Sequence, residues 1–189
     1  MPPITESVKS KVLKYCAESL ARNGYDFWEE HIKYVVNHAR ELAAAQNADV
    51  TVCELAALLH DVSLPANVGP REEHEVYGAK MAREILSELN FDPEKIEHVA
   101  QCILSHRGSK SAERKTNEEW ILAEADALSH FDNIPMIFSL AYGEKKMPMA
   151  EGREYVKKKL QKSFDKLRPE TKDIVKPRLD NIMNVLFNT

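Results

Sequence analysis

Apolar residues recur every three to four positions along most of the chain, and the strict alternation expected of half-buried strands is absent. Turn signals separate the apolar stripes: Asn23-Gly24 follows the first, and Asp92-Pro93 precedes the fifth as an N-cap with proline at the first helical position. The stripes predict helices over residues of about 6–22, 26–46, 50–62, 72–89, 93–106, 120–128 and, in several pieces, 131–188. We therefore expect a single all-α domain over 1–189.

The third predicted helix is apolar on nearly every face, which is typical of a central buried helix. It ends near His60 and Asp61, and the loop that follows contains Pro65, Gly69 and Pro70. Burying an ionised carboxylate costs several kcal/mol unless another group pairs with it. We therefore expect a positive group beside Asp61.

The C-terminal third carries its own helical stripe, formed by Val156, Leu160 and Phe164. Pro169 is expected to open the last helical region, because proline is tolerated in the first turn of a helix. Pro177 lies inside that region, and we expect it to kink or split the helix, because it lacks a backbone N–H.

The composition of the chain limits the kinds of binding partner to expect. The chain has 26 Lys and Arg against 30 Asp and Glu and a pI near 6.0, so neither nucleic acid nor an anionic membrane is expected as the main partner. No apolar run has the length of a membrane span, and the N-terminus lacks an apolar signal-peptide core. Cys16, Cys53 and Cys102 are widely spaced in apolar surroundings, which favours buried thiols in a reducing compartment. We expect a cytoplasmic protein.

Several polar residues occupy positions where the apolar stripes predict buried ones: His31, His60, Asp61, His74, His106 and Asp126. Taken singly, a histidine on an apolar stripe is more often a hydrogen-bonded core residue than a ligand. Left unpaired, the whole set would cost more than the net stability of a domain, about 5–15 kcal/mol. Imidazole and carboxylate are common metal ligands, so a metal ion would satisfy the set. We expect this cation at Asp61.

The order of a histidine, a His-Asp pair and an aspartate on separate predicted helices resembles the HD-domain superfamily of metal-dependent phosphohydrolases. Five segments carry the resemblance, namely HIKYVVNHARELA, ELAALLHDV, HEVYGAKMAREIL, ILSHR and LAEADAL. The resemblance implies a helical bundle of the HD type. It covers about 26–131, the expected core, and leaves 132–189 as a helical extension that it does not assign.

The resemblance also implies a site. It places metal ligands at His31, His60, Asp61 and Asp126, and catalytic roles at Asp61, His74 and His106. In some members the residues corresponding to His74 and His106 bind a second metal ion, and in others they lie near the substrate phosphate. Arg71, Arg107 and Lys110 lie close to these histidines in predicted loops, and we expect them to bind substrate phosphate. Mixed nitrogen and oxygen ligands do not select among Mn²⁺, Mg²⁺, Co²⁺, Ni²⁺, Zn²⁺ and Fe²⁺.

The activity implied by the resemblance is hydrolysis of a phosphate ester or anhydride bond, in which a metal-bound hydroxide attacks phosphorus. The segment VSLPANVGP after the His-Asp pair lacks the Gly-Lys continuation of the cyclic-dinucleotide phosphodiesterase branch. The chain also lacks the long basic extension expected of a large alarmone hydrolase. A small stand-alone enzyme that acts on a small-molecule phosphate, with nucleotides as the expected class, fits better.

Two other readings stay open from the sequence. Six ligands could hold two irons, and some relatives with that arrangement are oxygenases. Alternatively, the protein could be a non-catalytic helical module in which a metal only joins helices, or which binds another protein. A homodimer formed through the C-terminal helices is left open, and the sequence does not identify the substrate.

Overall fold

The computed structural model describes residues 3–107 and 113–187. These two ranges contain nine α-helices and no strand, which confirms the predicted all-α class. The helices are α1 Ile4–Asn23, α2 Lys33–Ala45, α3 Val50–Leu59, α4 His74–Glu88, α5 Pro93–Ser105, α6 Asn117–Asp132, α7 Ile134–Phe138, α8 Met149–Asp165 and α9 Pro169–Leu186. A 3₁₀ turn over Arg71–Glu73 precedes α4, and wider π-helical turns cover Trp28–Ile32 and Ser139–Glu144.

Helix α3 is the central element of the first part of the chain. It packs against α1, α2, α4 and α5, and every residue from Val52 to Leu59 is buried. Such a helix gains burial on all its faces, as its apolar sequence predicts. Its C-terminal end is therefore surrounded by other helices, and that end carries His60 and Asp61.

Side-chain caps define the starts of two helices around this core. Asp49 accepts hydrogen bonds from the backbone N–H groups of Thr51 and Val52 at the start of α3. Asp92 accepts one from Lys95 at the start of α5 and precedes Pro93, as predicted. These caps satisfy N–H groups that have no partner within the helix, so the starts of α3 and α5 are set by local sequence.

Several predicted bounds and breaks differ from the structure. The segment expected as one helix over 26–46 begins with the π-helical turn Trp28–Ile32 and becomes α-helical only at Lys33. Helix α3 ends at Leu59, so His60 and Asp61 begin the following turns. Pro177 does not split α9, because this helix runs without interruption from Pro169 to Leu186.

Internal contacts divide the chain into two compact units, Met1–Asp126 and Ala127–Thr189. The first unit has a hydrophobic core to which α1 to α5 contribute. In the second unit, α8 packs against both α7 and α9. The expected single domain over 1–189, with a core over about 26–131 and an extension over 132–189, stays a prediction.

The three cysteines are buried and unbridged, as expected. Burial raises the pKa of the Cys16 thiol and of the Cys53 thiol to about 12, and it also raises the pKa of Cys102. Thiols in such surroundings stay protonated and unreactive, so these residues act as small apolar side chains. In the described parts of the chain, no helix combines the length and apolarity that a membrane crossing requires.

Candidate metal centre

Six histidine and aspartate side chains from separate elements meet at the end of α3, within the first unit. They form two groups, in each of which the potential ligand atoms lie within 4.8 Å of one another. The first ligand group consists of His31, His60 and Asp126. The second ligand group consists of Asp61, His74 and His106. All six residues were predicted from the sequence, and the structure brings them together.

The first ligand group joins the π-helical turn before α2, the end of α3 and the middle of α6. His31 Nε2 lies 3.1 Å from His60 Nε2 and 3.5 Å from Asp126 Oδ1. His60 is fully buried and His31 is nearly so, whereas the Asp126 side chain is 15% exposed. Two imidazole nitrogens and one carboxylate oxygen therefore lie close together. Of these three side chains, Asp126 is the most accessible to solvent.

The second ligand group joins the turns after α3, the first residue of α4 and the residue that caps α5. His74 Nε2 lies 3.4 Å from His106 Nε2 and 3.3 Å from Asp61 Oδ1. His106 Nε2 lies 3.9 Å from the same Asp61 oxygen. This group has the same composition as the first, two imidazoles and one carboxylate.

Asp61 faces both groups. Its Oδ2 atom lies 3.6 Å from His31 Nε2 and 3.5 Å from His60 Nε2, while its Oδ1 atom faces His74 and His106. Oδ1 is shielded from solvent and accepts no hydrogen bond in the described structure. A buried carboxylate oxygen without a donor is unfavourable, and a cation between it and the imidazoles would remove that cost.

The charge state of Asp61 follows from the same surroundings. Burial raises the pKa of the Asp61 carboxyl, but the four neighbouring histidines together lower it more, so the pKa lies well below its usual range. The carboxylate is therefore ionised at neutral pH, which is the form that binds a metal.

Backbone contacts hold three of the histidines in the tautomer that metal binding needs. The Nδ1 atom of His60 donates to Ala57 O (2.8 Å), and that of His106 donates to Ile103 O (2.6 Å). The Nδ1 atom of His74 donates to Arg71 O (2.9 Å). Because a carbonyl oxygen only accepts, each Nδ1 carries the proton, and in the neutral ring the lone pair lies on Nε2.

The facing Nε2 atoms of His74 and His106 then cannot hydrogen-bond to each other unless one ring gains a proton. A proton or a metal ion must lie between these two atoms to make their 3.4 Å separation favourable. The donor set and the partnerless Asp61 oxygen both fit a divalent cation. The residues present are therefore suited to the metal that the sequence predicts.

Close packing at Gly78 positions the second ligand group. A Cβ atom added to Gly78 would lie 2.8 Å from the backbone oxygen of His60, a distance that real Cβ atoms essentially never show. Helix α4 therefore approaches the end of α3 more closely than any other residue would allow. His74 lies one turn before Gly78 on the same helix face, so this contact sets its distance from Asp61.

An ion pair joins the residues that follow the two histidines of the second ligand group. Arg107 Nη1 lies 2.9 Å from Glu75 Oε2 and also donates to the backbone oxygen of Glu72 at 2.5 Å. Glu75 is almost fully buried, and its carboxylate lies 3.7 Å from His74 Nδ1. The pair thus connects the start of α4 to the end of α5. The sequence did not single out Glu75, since one glutamate among many carries no signal of burial.

The predicted phosphate contacts lie in different settings. Arg107 is engaged with Glu75, as described, and only a quarter of its side chain is exposed. Arg71 is exposed in the 3₁₀ turn before His74. Lys110 falls outside the described residues. The substrate-binding role assigned to all three stays a prediction, as do the individual roles of the metal and catalytic residues.

The π-helical turn that carries His31 was not expected. Asp26 accepts hydrogen bonds from the backbone N–H groups of Trp28 and Glu29, which starts this turn. A π-helical turn holds one more residue than an α-turn and often occurs at functional sites. It places both His31 and Ile32 in buried positions, whereas apolar periodicity alone predicts a regular helix here.

The HD domain family model matches residues 28–130, more than half of the chain, and this range contains all six side chains of the centre. The chain belongs to the HD-domain family. This confirms the resemblance read from the five sequence segments. Membership implies binding of a divalent metal, and at the level of the family it supports a metal-dependent phosphohydrolase.

Solved structures of HD proteins share the fold. An HD-superfamily hydrolase from Bacillus thuringiensis is 21% identical, with 96% of this chain and 95% of that chain covered and a TM-score of 0.66. A predicted HD superfamily hydrolase from an uncultured Thermotogales bacterium is 22% identical, with 91% of each chain covered and a TM-score of 0.56. A comparison with curated proteins finds no match. At these identities the structural likeness shows the fold, and it does not identify a substrate.

Proposed function

We propose that this protein is a metal-dependent phosphohydrolase that cleaves an ester or anhydride bond of a small phosphate compound, with nucleotides as the first class to test. The observation that carries the proposal is the arrangement around Asp61, whose two oxygens each face a pair of imidazole Nε2 atoms. Family membership supports the reaction class.

Each ligand group would bind one divalent ion. His31, His60 and Asp126, together with Asp61 Oδ2, would hold one divalent ion. His74 and His106, together with Asp61 Oδ1, would hold a second. Divalent ions bound there would supply an activated water and neutralise the charge of phosphoryl oxygens. Asp61 would contribute to both positions, because its two oxygens face different groups.

Accessibility indicates where the substrate approaches. The side chains of Asp61, His74 and Asp126 are 14–15% exposed, whereas His60 and His106 are almost completely shielded. Substrate and water therefore reach the centre from the side of Asp61, His74 and Asp126. His74 is the more exposed of the two histidines predicted to be catalytic, so it is the one placed to contact the leaving oxygen when only the first group holds an ion. With a second ion bound, His74 and His106 would both act as ligands.

The test combines metal analysis with a substrate screen. Wild-type protein and Asp61→Asn are loaded with Mn²⁺, Mg²⁺ or Co²⁺, and phosphate release is measured from nucleoside mono-, di- and triphosphates and from p-nitrophenyl phosphate. Asp61→Asn keeps the size of the side chain and removes its charge, so we expect lost metal and turnover with unchanged helicity by circular dichroism. Full activity in this variant would refute the proposal.

A di-iron oxygenase is the second candidate, and one observation favours it. Two groups of three ligands, with Asp61 of the second also facing the histidines of the first, could hold two irons. This candidate predicts two irons per chain in protein produced with sufficient iron, and oxygen consumption in the presence of substrate. Metal-supported phosphate release without oxygen uptake would exclude it. A non-catalytic metal site is less well supported, because three of the ligand side chains are accessible.

A further inference from the structure

The segment between Asp61 and His74, residues 62–73, joins two members of the second ligand group, and we call it the joining loop. It lies between the end of α3 and the start of α4 and consists of turns, including one short 3₁₀ turn. Such a segment does not fix the distance between its two ends through repeating backbone hydrogen bonds. The 3.3 Å separation of Asp61 Oδ1 and His74 Nε2 therefore depends on contacts that tie the loop to α4, besides the packing at Gly78.

A buried hydroxyl makes the first of these contacts. Ser63 lies two residues after Asp61 and is 1% exposed, and its Oγ atom donates a hydrogen bond to the backbone oxygen of His74 at 3.1 Å. The ring of His74 is held to the backbone beside it, because Nδ1 donates to the Arg71 oxygen. One hydrogen bond thus links the chain next to one metal-binding residue to the backbone of another.

The second contact is made by Tyr77, which lies one turn after His74 in α4. The Tyr77 ring lies directly against the backbone of Gly69, since a Cβ atom added to Gly69 would collide with the ring carbons. Gly69 also has a positive φ of 73°, a conformation that other residues rarely adopt. Glycine at this position therefore lets the joining loop lie close to the helix that carries His74.

Two residues resemble Ser63 and Gly69 but connect different parts of the chain. Ser105 is also buried and precedes His106, but its Oγ atom donates to the Cys102 oxygen at 3.2 Å, within the same helix α5. Gly24 has a φ of 75°, close to that of Gly69, but beyond its chain neighbours no atom of the described structure lies within 4 Å of a Cβ atom added there. These two residues therefore supply matched controls.

We propose that Ser63 is a positioning residue for the second metal ion, because its hydroxyl holds His74 at the distance from Asp61 that the ion requires. The contact of Tyr77 with Gly69 keeps the joining loop in the same place. Ser63 acts through His74 and does not itself bind the ion. Ligands that are held in place before binding lose less conformational freedom when the ion binds, so the affinity is higher. The inference rests on the second metal position of the proposed function.

The test uses the full chain, freed of metal, with Co²⁺ as the probe. Isothermal titration calorimetry measures each binding event in wild type, Ser63→Ala, Gly69→Ala and the controls Ser105→Ala and Gly24→Ala. The event that disappears in His74→Ala belongs to the second ligand group. Visible absorption of the bound Co²⁺ reports the arrangement of its ligands, and urea unfolding of the metal-free proteins reports their stability.

We expect Ser63→Ala to weaken Co²⁺ binding in the second ligand group about 10-fold, the lower end of the range for residues that support metal ligands. Binding in the first ligand group should be unchanged, because its three residues lie outside the joining loop. Ser105→Ala also loses a buried hydroxyl, so its urea midpoint should fall as that of Ser63→Ala does. A role limited to stability would leave these two variants alike, whereas we expect both Co²⁺ affinities of Ser105→Ala to stay unchanged.

Gly69→Ala tests the second contact. The added methyl group displaces the Tyr77 ring, so we expect weaker Co²⁺ binding in the second ligand group and a changed absorption spectrum of the ion bound there. Gly24→Ala introduces similar backbone strain at a position without such a contact, and it should bind both ions like wild type.

Four results would overturn the proposal. They are equal affinity for the second ion in wild type and Ser63→Ala, equal weakening of both ions in Ser63→Ala, a Ser105→Ala protein that loses as much affinity for the second ion as Ser63→Ala, and binding of a single ion by wild type. If Ser63→Ala does not fold, the glycine variants decide, and equal affinity for the second ion in Gly69→Ala and Gly24→Ala would then contradict the proposal.

Phosphate release from nucleotides separates this proposal from the proposed function. Binding of a second ion that depends on Ser63, without release of phosphate from any substrate tested, would refute the function only. Phosphate release by a protein whose second ion binds independently of Ser63 would refute this proposal only.

Discussion

The two ligand groups have the same composition, two histidines and one aspartate, but they are held in different ways. The first ligand group includes His60, which is fully buried at the end of a helix that is itself buried. The second ligand group includes His74, which begins α4 and is partly exposed. The comparison teaches that the first group is anchored by His60 at the buried end of α3, whereas the second depends on how α4 and α5 meet.

The largest expected effect comes from replacing the buried histidine of the first group. His60→Ala removes a fully buried side chain and its hydrogen bond to Ala57 O, so we expect the free energy of unfolding to fall by about 2–4 kcal/mol. Metal should be lost as well. His74→Ala is the matched comparison: it should lose metal from the second group and reduce stability by less than about 1 kcal/mol. Urea unfolding of the metal-free proteins and elemental analysis measure both. Equal losses of stability would remove the proposed distinction.

Gly78→Ala tests the contact between α4 and the end of α3. The new methyl group would lie 2.8 Å from the His60 carbonyl oxygen, so α4 must shift, at an expected cost of about 1–3 kcal/mol. His74 should move with α4, and metal bound by the second group should be lost before metal bound by the first. Gly143→Ala is the control, because the nearest atom to its added methyl group is Ser139 Oγ at 3.6 Å. Thermal unfolding and metal titration report the two effects. A stable Gly78→Ala protein with full metal content would show that the close contact has no positioning role.

Arg107→Gln tests the ion pair that joins α4 to the end of α5. The substitution leaves the buried carboxylate of Glu75 without its cation, and we expect the free energy of unfolding to fall by about 1–2 kcal/mol. The effect is smaller than for a fully buried pair because Arg107 is partly exposed. Affinity for metal in the second group should fall, and the double variant Arg107→Gln, Glu75→Gln should recover part of the stability. Metal titration followed by calorimetry reads out the affinity. Unchanged metal affinity would limit the pair to a structural role.

The smallest effect is expected at a surface pair that links the same two helices. Arg83 on α4 makes two hydrogen bonds to Glu97 on α5, and these bonds together with Gln101 lower the pKa of Glu97 to about 2. A lowered carboxyl pKa stabilises the fold above the unfolded-state value near 4.5, and this contribution is lost as the pH falls from there toward 2. Because both side chains are exposed, we expect Glu97→Gln to lose less than about 1 kcal/mol at pH 7.

The difference between Glu97→Gln and wild type should vanish near pH 2, and metal content should stay unchanged at pH 7. Urea unfolding at several pH values measures the first and elemental analysis the second. A Glu97→Gln protein that loses metal would mean that any link between α4 and α5, buried or exposed, controls the second ligand group.

Much of the helical arrangement could be predicted from the sequence, because its causes are local. Apolar spacing identifies the helices, and the Asp92-Pro93 pair marks the start of α5 through a side-chain cap and a fixed φ angle. The apolar residues that precede His60 and Asp61 in the sequence mark these two as unusual, even before their neighbours in space are known. The extra residue of the π-helical turn at His31 was missed, because periodicity does not resolve a single inserted position.

Only the tertiary structure decided how these polar residues share their partners. The sequence by itself determined an all-α chain with histidines and aspartates on buried faces. It could not show that the two oxygens of Asp61 face different histidine pairs, or that Glu75 is the ion-pair partner of Arg107. The reason is physical, because helix formation depends on residues only a few positions apart in the chain. The pairing of a charge instead depends on residues that are distant in the chain and that the fold brings within about 4 Å.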